Sequence, residues 1–133
     1  MILLQPTSPL RSEEDITRSL ELLCGKRDTG AVVSVCEAVD HPMHCGILPE
    51  DGNMGNFLSP KAYNKNRQEL PLYYKLNGAI YVAFWEYLKR NKNFIGEKTY
   101  AYVMPRERSV DVDTEIDLFV AEYLMRKINR DGP

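Results

Sequence analysis

The chain has few cysteines, no long apolar run and no excess of positive charge, and each shortage excludes a class of protein. Its three cysteines (Cys24, Cys36 and Cys45) are an odd number without disulfide-framework spacing, so we expect a reducing, cytoplasmic environment. No apolar run approaches the roughly 20 residues of a membrane span, and residues 1–4 are too short for a signal peptide. The formal net charge of −2 argues against a nucleic-acid partner.

What the chain does contain is typical of one α/β domain. It has 133 residues, of which 44% are hydrophobic and 27% charged, with no low-complexity tract. Apolar runs predict strands at residues 2–4, 31–36, 73–84 and 99–104, the first being buried on both faces. Ser12 begins a helix that ends at Gly25 or Gly30, a short helix follows at 85–90, and Thr114 caps a last helix over 115–129. The first strand, helix and second strand together predict a parallel crossover unit, with the active site expected at the carboxyl ends of its strands.

Residues 40–70 are irregular, with many Pro, Gly and Asn, and a hairpin turning at residues 50–53 is predicted there. A span of this length without periodicity is typical of a functional loop or an interface.

The most informative stretch of the sequence is RSVDVDTEID at residues 108–117. Val110 and Val112 alternate with Asp111 and Asp113, which predicts a strand with both carboxylates on one face. Two carboxylates beside a helix start suit a hard divalent cation such as Mg²⁺, which keeps waters and takes further ligands from substrate phosphates. The alternative is that one Asp caps the helix and the other is solvated.

Five segments in a fixed order carry a resemblance to a known family. They are LLQPTSPLR at 3–11, HP at 41–42, RQELP at 67–71, NGAIY at 77–81 and SVDVDTEID at 109–117. In this order they resemble the acylneuraminate cytidylyltransferases, which activate sialic, legionaminic and pseudaminic acids as CMP-sugars.

The resemblance implies a three-layer α/β/α sandwich of the nucleotide-diphospho-sugar transferase type. Family members begin with a strand and a glycine- and lysine-rich loop that holds the triphosphate, and no segment of this sequence resembles that loop. We therefore expect a single domain over 1–133 that is N-terminally truncated, with a dimerisation excursion at about 60–100 and a homodimeric assembly.

The implied partners are CTP and a nine-carbon keto-sugar acid, whose anomeric hydroxyl attacks the α-phosphate to release pyrophosphate. By resemblance, Asp111 and Asp113 hold Mg²⁺ or Mn²⁺ and one of them accepts the hydroxyl proton. We expect this chain alone to be inactive because it lacks the triphosphate loop. The alternative is a non-catalytic interaction or dimerisation domain derived from the same family.

Further site residues are predicted by the same resemblance. Gln5 contacts the sugar acid, Asn77 and Tyr81 line its pocket, Arg67 reaches the sugar across a dimer interface, and Phe94 packs on the partner subunit's substrate. Each has a plain alternative: a loop amide for Gln5, an ordinary bulged strand for Asn77 and Tyr81, a solvated arginine for Arg67, and simple dimer packing for Phe94.

Other charged or metal-ligating residues carry weaker predictions. The spacing of Cys36, His41, His44 and Cys45 fits no common zinc site. His44 stands where many relatives have a lysine, which favours a different sugar acid. Arg106 and Arg108 are predicted to lie in a solvated charge cluster; the alternative is that they balance the aspartates or meet phosphate.

Overall fold

A computed structural model describes residues 1–58 and 70–131, and divides the chain into two compact units. The larger unit comprises residues 1–36 and 76–133, and the smaller unit comprises residues 37–75. Among the described residues, no helix is long and apolar enough to cross a membrane. Arg67 lies outside the described residues.

The chain is an α/β protein, as predicted, with a mixed four-stranded sheet. The strands are β1 (Ile2–Leu3), β2 (Ala31–Glu37), β3 (Tyr74–Ala83) and β4 (Thr99–Val103), and the helices are α1 (Glu13–Gly25), α2 (Trp85–Asn91) and α3 (Glu115–Asp131). The strand order is β1-β3-β2-β4, with β1 antiparallel to β3 and β2 parallel to β4. The predicted strands and helices therefore form close to their expected limits, apart from β1 and the segment before α3.

The first strand differs from its prediction. Instead of a strand buried on both faces, β1 is a two-residue edge strand, and Ile2 and Leu3 are both about half exposed. It pairs with β3 through Ile2 opposite Val82 and Leu3 opposite Tyr81, so it is not the neighbour of β2. The apolar run indicated a strand correctly, but strand order depends on long-range pairing that a local pattern does not encode.

The core of the larger unit lies on the two faces of the sheet. Leu23 of α1 packs with Val32, Ile80 and Val82 in one apolar cluster. Tyr87 of α2 packs with Ala31 and Ala83 in a second cluster. Because successive side chains of a strand point to opposite faces, Ala31 and Val32 place the two helices on opposite sides of the sheet. The two inner strands of the sheet, β3 and β2, therefore lie between the helices.

The last helix forms over Glu115–Asp131, and Thr114 caps its start, as predicted, through a capping box with Asp117. The Thr114 backbone and hydroxyl both donate to the Asp117 carboxylate, at 2.8 and 2.7 Å, and the Asp117 amide donates back to the Thr114 hydroxyl at 3.4 Å. Its apolar side chains are largely exposed: Ile116 by 73%, Phe119 by 70% and Tyr123 by 68%. The periodicity identified the helix but not the surface against which it packs.

The smaller unit contains a short 3₁₀ helix at Pro42–His44 and a turn at residues 49–52, where Gly52 donates to the Pro49 carbonyl. The predicted hairpin at 50–53 is wrong within residues 40–58, since none of them forms a strand. His41 is buried in this unit, and its Nε2 lies 3.2 Å from the Pro71 carbonyl oxygen. It caps the 3₁₀ helix by accepting from the Met43 amide at Nδ1.

Candidate functional site

The loop that follows β1 is held by its own side chains. Arg11 donates from Nη1 to the carbonyl oxygens of Gln5 and Ser8, both at 2.7 Å. The Ser8 hydroxyl is buried and donates to the backbone carbonyl of Asn77 at 3.1 Å. These three hydrogen bonds hold residues 5–11 in a defined conformation and attach the loop to β3. Neither Arg11 nor Ser8 stood out in the sequence, because a loop arginine and a loop serine are usually solvated.

Gly78 allows the loop and β3 to approach closely. Its φ of +73° lies in the left-handed region, and a Cβ built there would lie 2.3 Å from Gln5 Oε1. Gly78 lies inside the strand predicted at residues 73–84, and the structure shows that the loop approaches the strand closely at this glycine. The Gln5 amide, half-buried, lies directly against the Gly78 backbone.

Substituting Gly78 by alanine should destabilise the protein by about 1–3 kcal/mol, because alanine would be strained at this φ and would displace the Gln5 amide. Urea unfolding of the purified chain measures the change. Gly25→Ala is the matched control: a Cβ there meets nothing within 4 Å, so its stability should stay within about 1 kcal/mol of wild type. Equal unfolding midpoints for the Gly78 variant and wild type would contradict the strain argument.

Asn77 is at the centre of a buried polar network. Its side chain is 2% exposed; Oδ1 accepts from the Ser34 hydroxyl at 2.6 Å, and Nδ2 donates to the Ser109 hydroxyl at 2.8 Å. The Ser109 hydroxyl donates onward to the Pro105 carbonyl at 2.8 Å. The role of Asn77 in lining the sugar pocket stays a prediction; in the structure its side chain joins β2, β3 and the segment that follows β4. Buried Ser34 and Ser109 were missed, since serine carries no burial signal of its own.

Tyr81 and Phe94 lie together on the larger unit. Their ring centroids are 5.5 Å apart with an interplanar angle of 61°, an edge-to-face pair, and both side chains are half-buried. Phe94 also packs against the cluster formed by Ala31, Ala83 and Tyr87. The aromatic pair therefore has an ordinary packing role in addition to any contact with substrate.

Asp111 and Asp113 do not lie on a strand. The prediction of a strand is wrong here: residues 106–108 form a 3₁₀ turn and residues 109–112 have no regular structure. The segment is nevertheless fixed, because the Val112 amide donates to the Thr7 carbonyl at 2.8 Å. The local reason is Pro105, which ends β4 and starts the 3₁₀ turn, so that the segment is held by tertiary contacts and not by a ladder.

Both carboxylates are exposed, and among the described residues neither accepts a hydrogen bond or forms an ion pair. The alternative interpretation was that one of these aspartates caps the helix, but the cap is formed by Thr114 and Asp117. Both aspartates are therefore available to bind a ligand. The described residues contain no group of three or more His, Cys, Asp or Glu that could hold a metal. Carboxylate oxygens are the type of ligand that Mg²⁺ takes from proteins, with its remaining ligands supplied by water and phosphate.

Arg108 contradicts its prediction as a solvated charge. It makes a two-pronged contact with Asp15, with Nε and Nη2 each 2.8 Å from a different carboxylate oxygen. Asp15 is fully buried and also accepts from Tyr102 at 3.1 Å and from the Ser12 amide at 2.9 Å. Ser12 is the N-cap of α1, as predicted, but the capping box that it forms with Asp15 was not predicted. The arginine partner of Asp15, 93 positions away, was not foreseeable.

The pKa of Asp15 is lowered from 3.8 to about 2. Burial by itself would raise this pKa, but the hydrogen bonds from Arg108 and Ser12 and the charge of Arg108 outweigh it. The folded state therefore favours the ionised carboxylate more than the unfolded chain does. This contribution to stability is complete above the unfolded-state pKa and is lost as pH falls towards the folded-state value.

Acid unfolding should report this linkage directly. Between about pH 5 and pH 2, wild type should lose about 2 kcal/mol more of its unfolding free energy than Asp15→Asn, which carries no titrating group at this position. Urea unfolding at each pH measures the difference. The control is Asp28→Asn, which removes an exposed carboxylate that forms a surface pair with Lys98 and should follow the wild-type profile. Parallel profiles for Asp15→Asn and wild type would refute the shift.

The chain is an α/β protein in which the loop after β1 contacts a segment that carries two exposed carboxylates, and the comparisons with known proteins identify its relatives. No protein-family model matches the chain. It is 41% identical over 118 residues to an N-acylneuraminate cytidylyltransferase of Streptococcus agalactiae, covering 87% of this chain and 28% of that protein. It is 35% identical over 134 residues to a CMP-N,N'-diacetyllegionaminic acid synthase of Legionella pneumophila, covering 94% and 53% respectively.

A third relative is the post-translational flagellin modification protein B of Campylobacter coli, 29% identical over 134 residues, with 97% of this chain and 54% of that protein covered. The chain is thus a homologue of the cytidylyltransferases that act in CMP-sialic and CMP-legionaminic acid synthesis, which confirms the resemblance seen in the sequence. It spans between about a quarter and a half of the length of these relatives.

Proposed function

We propose that this chain provides the sugar-binding and metal-binding part of an acylneuraminate-type cytidylyltransferase. The proposed reaction transfers CMP from CTP to the anomeric hydroxyl of a nonulosonic acid, in the cytoplasm and as a homodimer. The hydroxyl oxygen forms a bond to the α-phosphorus, the α–β phosphoanhydride bond breaks, pyrophosphate leaves, and the hydroxyl proton passes to a carboxylate.

The observation that carries this proposal is the convergence of two segments in one place. The loop after β1 and the Asp111–Asp113 segment are joined by the hydrogen bond from the Val112 amide to the Thr7 carbonyl. The loop presents the Gln5 amide, which can donate to and accept from hydroxyls and an acylamino group. The neighbouring segment presents two uncommitted carboxylates. A sugar acid held by Gln5 would therefore be bound on the loop that contacts the carboxylate-bearing segment.

Asp111 and Asp113 would hold a Mg²⁺ ion, which when bound would neutralise phosphate charge and lower the pKa of the attacking hydroxyl. The protein itself contributes by orienting the sugar-binding loop and the carboxylates. Its loop is shaped by Arg11 and Ser8, and its carboxylates are placed by backbone contacts on both sides. Such pre-formed geometry lowers the barrier because the reacting groups need little reorganisation.

A chimeric enzyme tests the proposal. The segment of the S. agalactiae cytidylyltransferase that aligns with this chain is replaced by this chain, and CTP-dependent release of pyrophosphate is measured with a panel of nonulosonic acids. We expect transfer by the folded chimera, and none by the 133-residue chain alone, which has no segment resembling a triphosphate loop. The control is the same chimera with Asp111→Asn and Asp113→Asn together, which should be inactive.

The outcomes separate the two functions predicted from the sequence. A chimera that folds, shown by a cooperative thermal transition, but does not transfer CMP favours the non-catalytic interaction domain. So does transfer that is unchanged by the double substitution, since the carboxylates would then have no role. Transfer by the isolated chain would refute the expectation that it needs a separate triphosphate-binding part.

A further inference from the structure

Residues 108 and 109 are held from two sides by buried polar contacts. Arg108 reaches towards α1 and forms the two-pronged ion pair with Asp15. Ser109, which is 5% exposed, reaches towards β3 and accepts from the Asn77 amide. The two neighbouring side chains thus anchor the same point of the backbone to different parts of the larger unit.

This anchored point lies immediately before the two aspartates. Beyond it, the Val112 amide is bonded to the Thr7 carbonyl, and the Thr114–Asp117 capping box fixes the start of α3. The segment that carries Asp111 and Asp113 is therefore fastened before, between and after its carboxylates. Since it belongs to no strand or helix, these contacts are what determine where the carboxylates lie.

The partner of Arg108 belongs to the other half of the candidate site. Asp15 is in the first turn of α1, whose N-cap is Ser12, directly after the loop of residues 5–11. Asp15 accepts from the Ser12 amide and hydroxyl, each at 2.9 Å. Movement of the helix start would therefore move the loop and its Gln5, and the ion pair links that start to the aspartate segment.

We propose that Arg108 and Asp15 are a positioning pair that holds the Asp111–Asp113 segment in register with the Gln5 loop. Neither side chain is proposed to touch substrate; both act through the backbone that they fasten. The pair is suited to this role because a guanidinium fork on a carboxylate fixes distance and angle together, which a lysine does not. The roles of the two positioned parts, as a metal-binding segment and a sugar-binding loop, rest on the proposed function.

Hydrogen exchange in the 133-residue chain tests the positioning without any assay of activity. The reporter is the Val112 amide, which bonds to Thr7, and the reference is the Ile80 amide, which bonds to the Ser34 hydroxyl in the core at 2.8 Å. In Arg108→Lys, exchange at Val112 should accelerate about tenfold, the size expected for losing one charge-assisted hydrogen bond, with little change at Ile80. Arg106→Lys, an exposed arginine in the same turn, should change neither amide.

Three results would overturn the proposal. They are an unchanged Val112 rate in Arg108→Lys, equal acceleration of Val112 and Ile80, which would mean a loss of global stability only, and the same effect from Arg106→Lys. If Arg108→Lys does not fold, the pair Asp15→Asn with Arg108→Gln removes both charges together and leaves no buried charge unpaired. The same Val112-specific acceleration is then required.

The chimera separates this inference from the proposed function. With Arg108→Lys we expect the rate at saturating CTP to fall about tenfold and the KM for CTP to stay within about twofold, because alignment is lost and nucleotide contacts are not. Activity that is insensitive to the Asp113 substitution would refute the metal role and leave the exchange result standing. Activity that depends on Asp113 but not on Arg108 would refute the positioning pair alone.

Discussion

Asp113→Asn should reduce CMP-sugar formation by the chimera by at least about a hundredfold, the scale on which loss of one preorganised electrostatic group acts in enzymes. Asparagine keeps the size of the side chain but removes the charge. A hard cation loses an anionic ligand, and the hydroxyl loses a proton acceptor. Because the Asp113 carboxylate has no partner among the described residues, its removal breaks no contact with them, so a large effect on rate would report chemistry and not unfolding.

Glu115→Gln is the matched control for this substitution. Glu115 is an exposed carboxylate two positions further on, in the first turn of α3, and neutralising it makes the same change in net charge. We expect its rate to stay within about threefold of wild type, because Glu115 is not proposed to bind the cation or to accept the hydroxyl proton. Initial rates over a range of Mg²⁺ concentrations decide the matter. A rate for Asp113→Asn that matched Glu115→Gln would remove Asp113 from the mechanism.

Arg108→Met should destabilise the chain by about 3–5 kcal/mol, the range for removing one partner of a buried ion pair. The Asp15 side chain is fully buried, and without the guanidinium it would keep only its contacts with Ser12 and Tyr102. Methionine has a comparable length but cannot donate to the carboxylate. Urea unfolding at neutral pH measures the loss.

The adjacent arginine is again the control, since Arg106 is exposed and Arg106→Met should change stability by less than about 0.5 kcal/mol. The pH dependence adds a second check. Without Arg108 the pKa of Asp15 should rise, so the gap between the variant and wild type should narrow below about pH 4 as the carboxylate is protonated. A gap that is independent of pH would mean that Arg108 acts through packing and not through its charge.

Several apolar side chains of α3 are left largely exposed by the larger unit. Ile116, Phe119 and Tyr123 are each at least 68% exposed, although the start of the helix is capped. Local hydrogen bonds stabilise the start of this helix, whereas burial of the helix depends on tertiary packing. Helix formation and helix packing are thus controlled by different interactions in this protein.

Sequence alone determined the elements whose signals are local. Ser12 and Thr114 were identifiable as N-caps because capping depends on residues three positions apart, and β2 and β3 were identifiable from their apolar runs. The resemblance to cytidylyltransferases likewise came from short segments in order, and the comparisons bear it out.

Only the tertiary structure decided which residues meet across long separations. The pairing of Arg108 with Asp15, the enclosure of Asn77 by Ser34 and Ser109, and the edge position of β1 all join residues tens of positions apart. No periodicity records such contacts, because they depend on strand order and on where each chain segment returns to the sheet. The aspartate segment depends on both kinds of information. Its residue types predicted an oxygen-ligated cation, and long-range contacts determine that it is a fixed loop and not a strand.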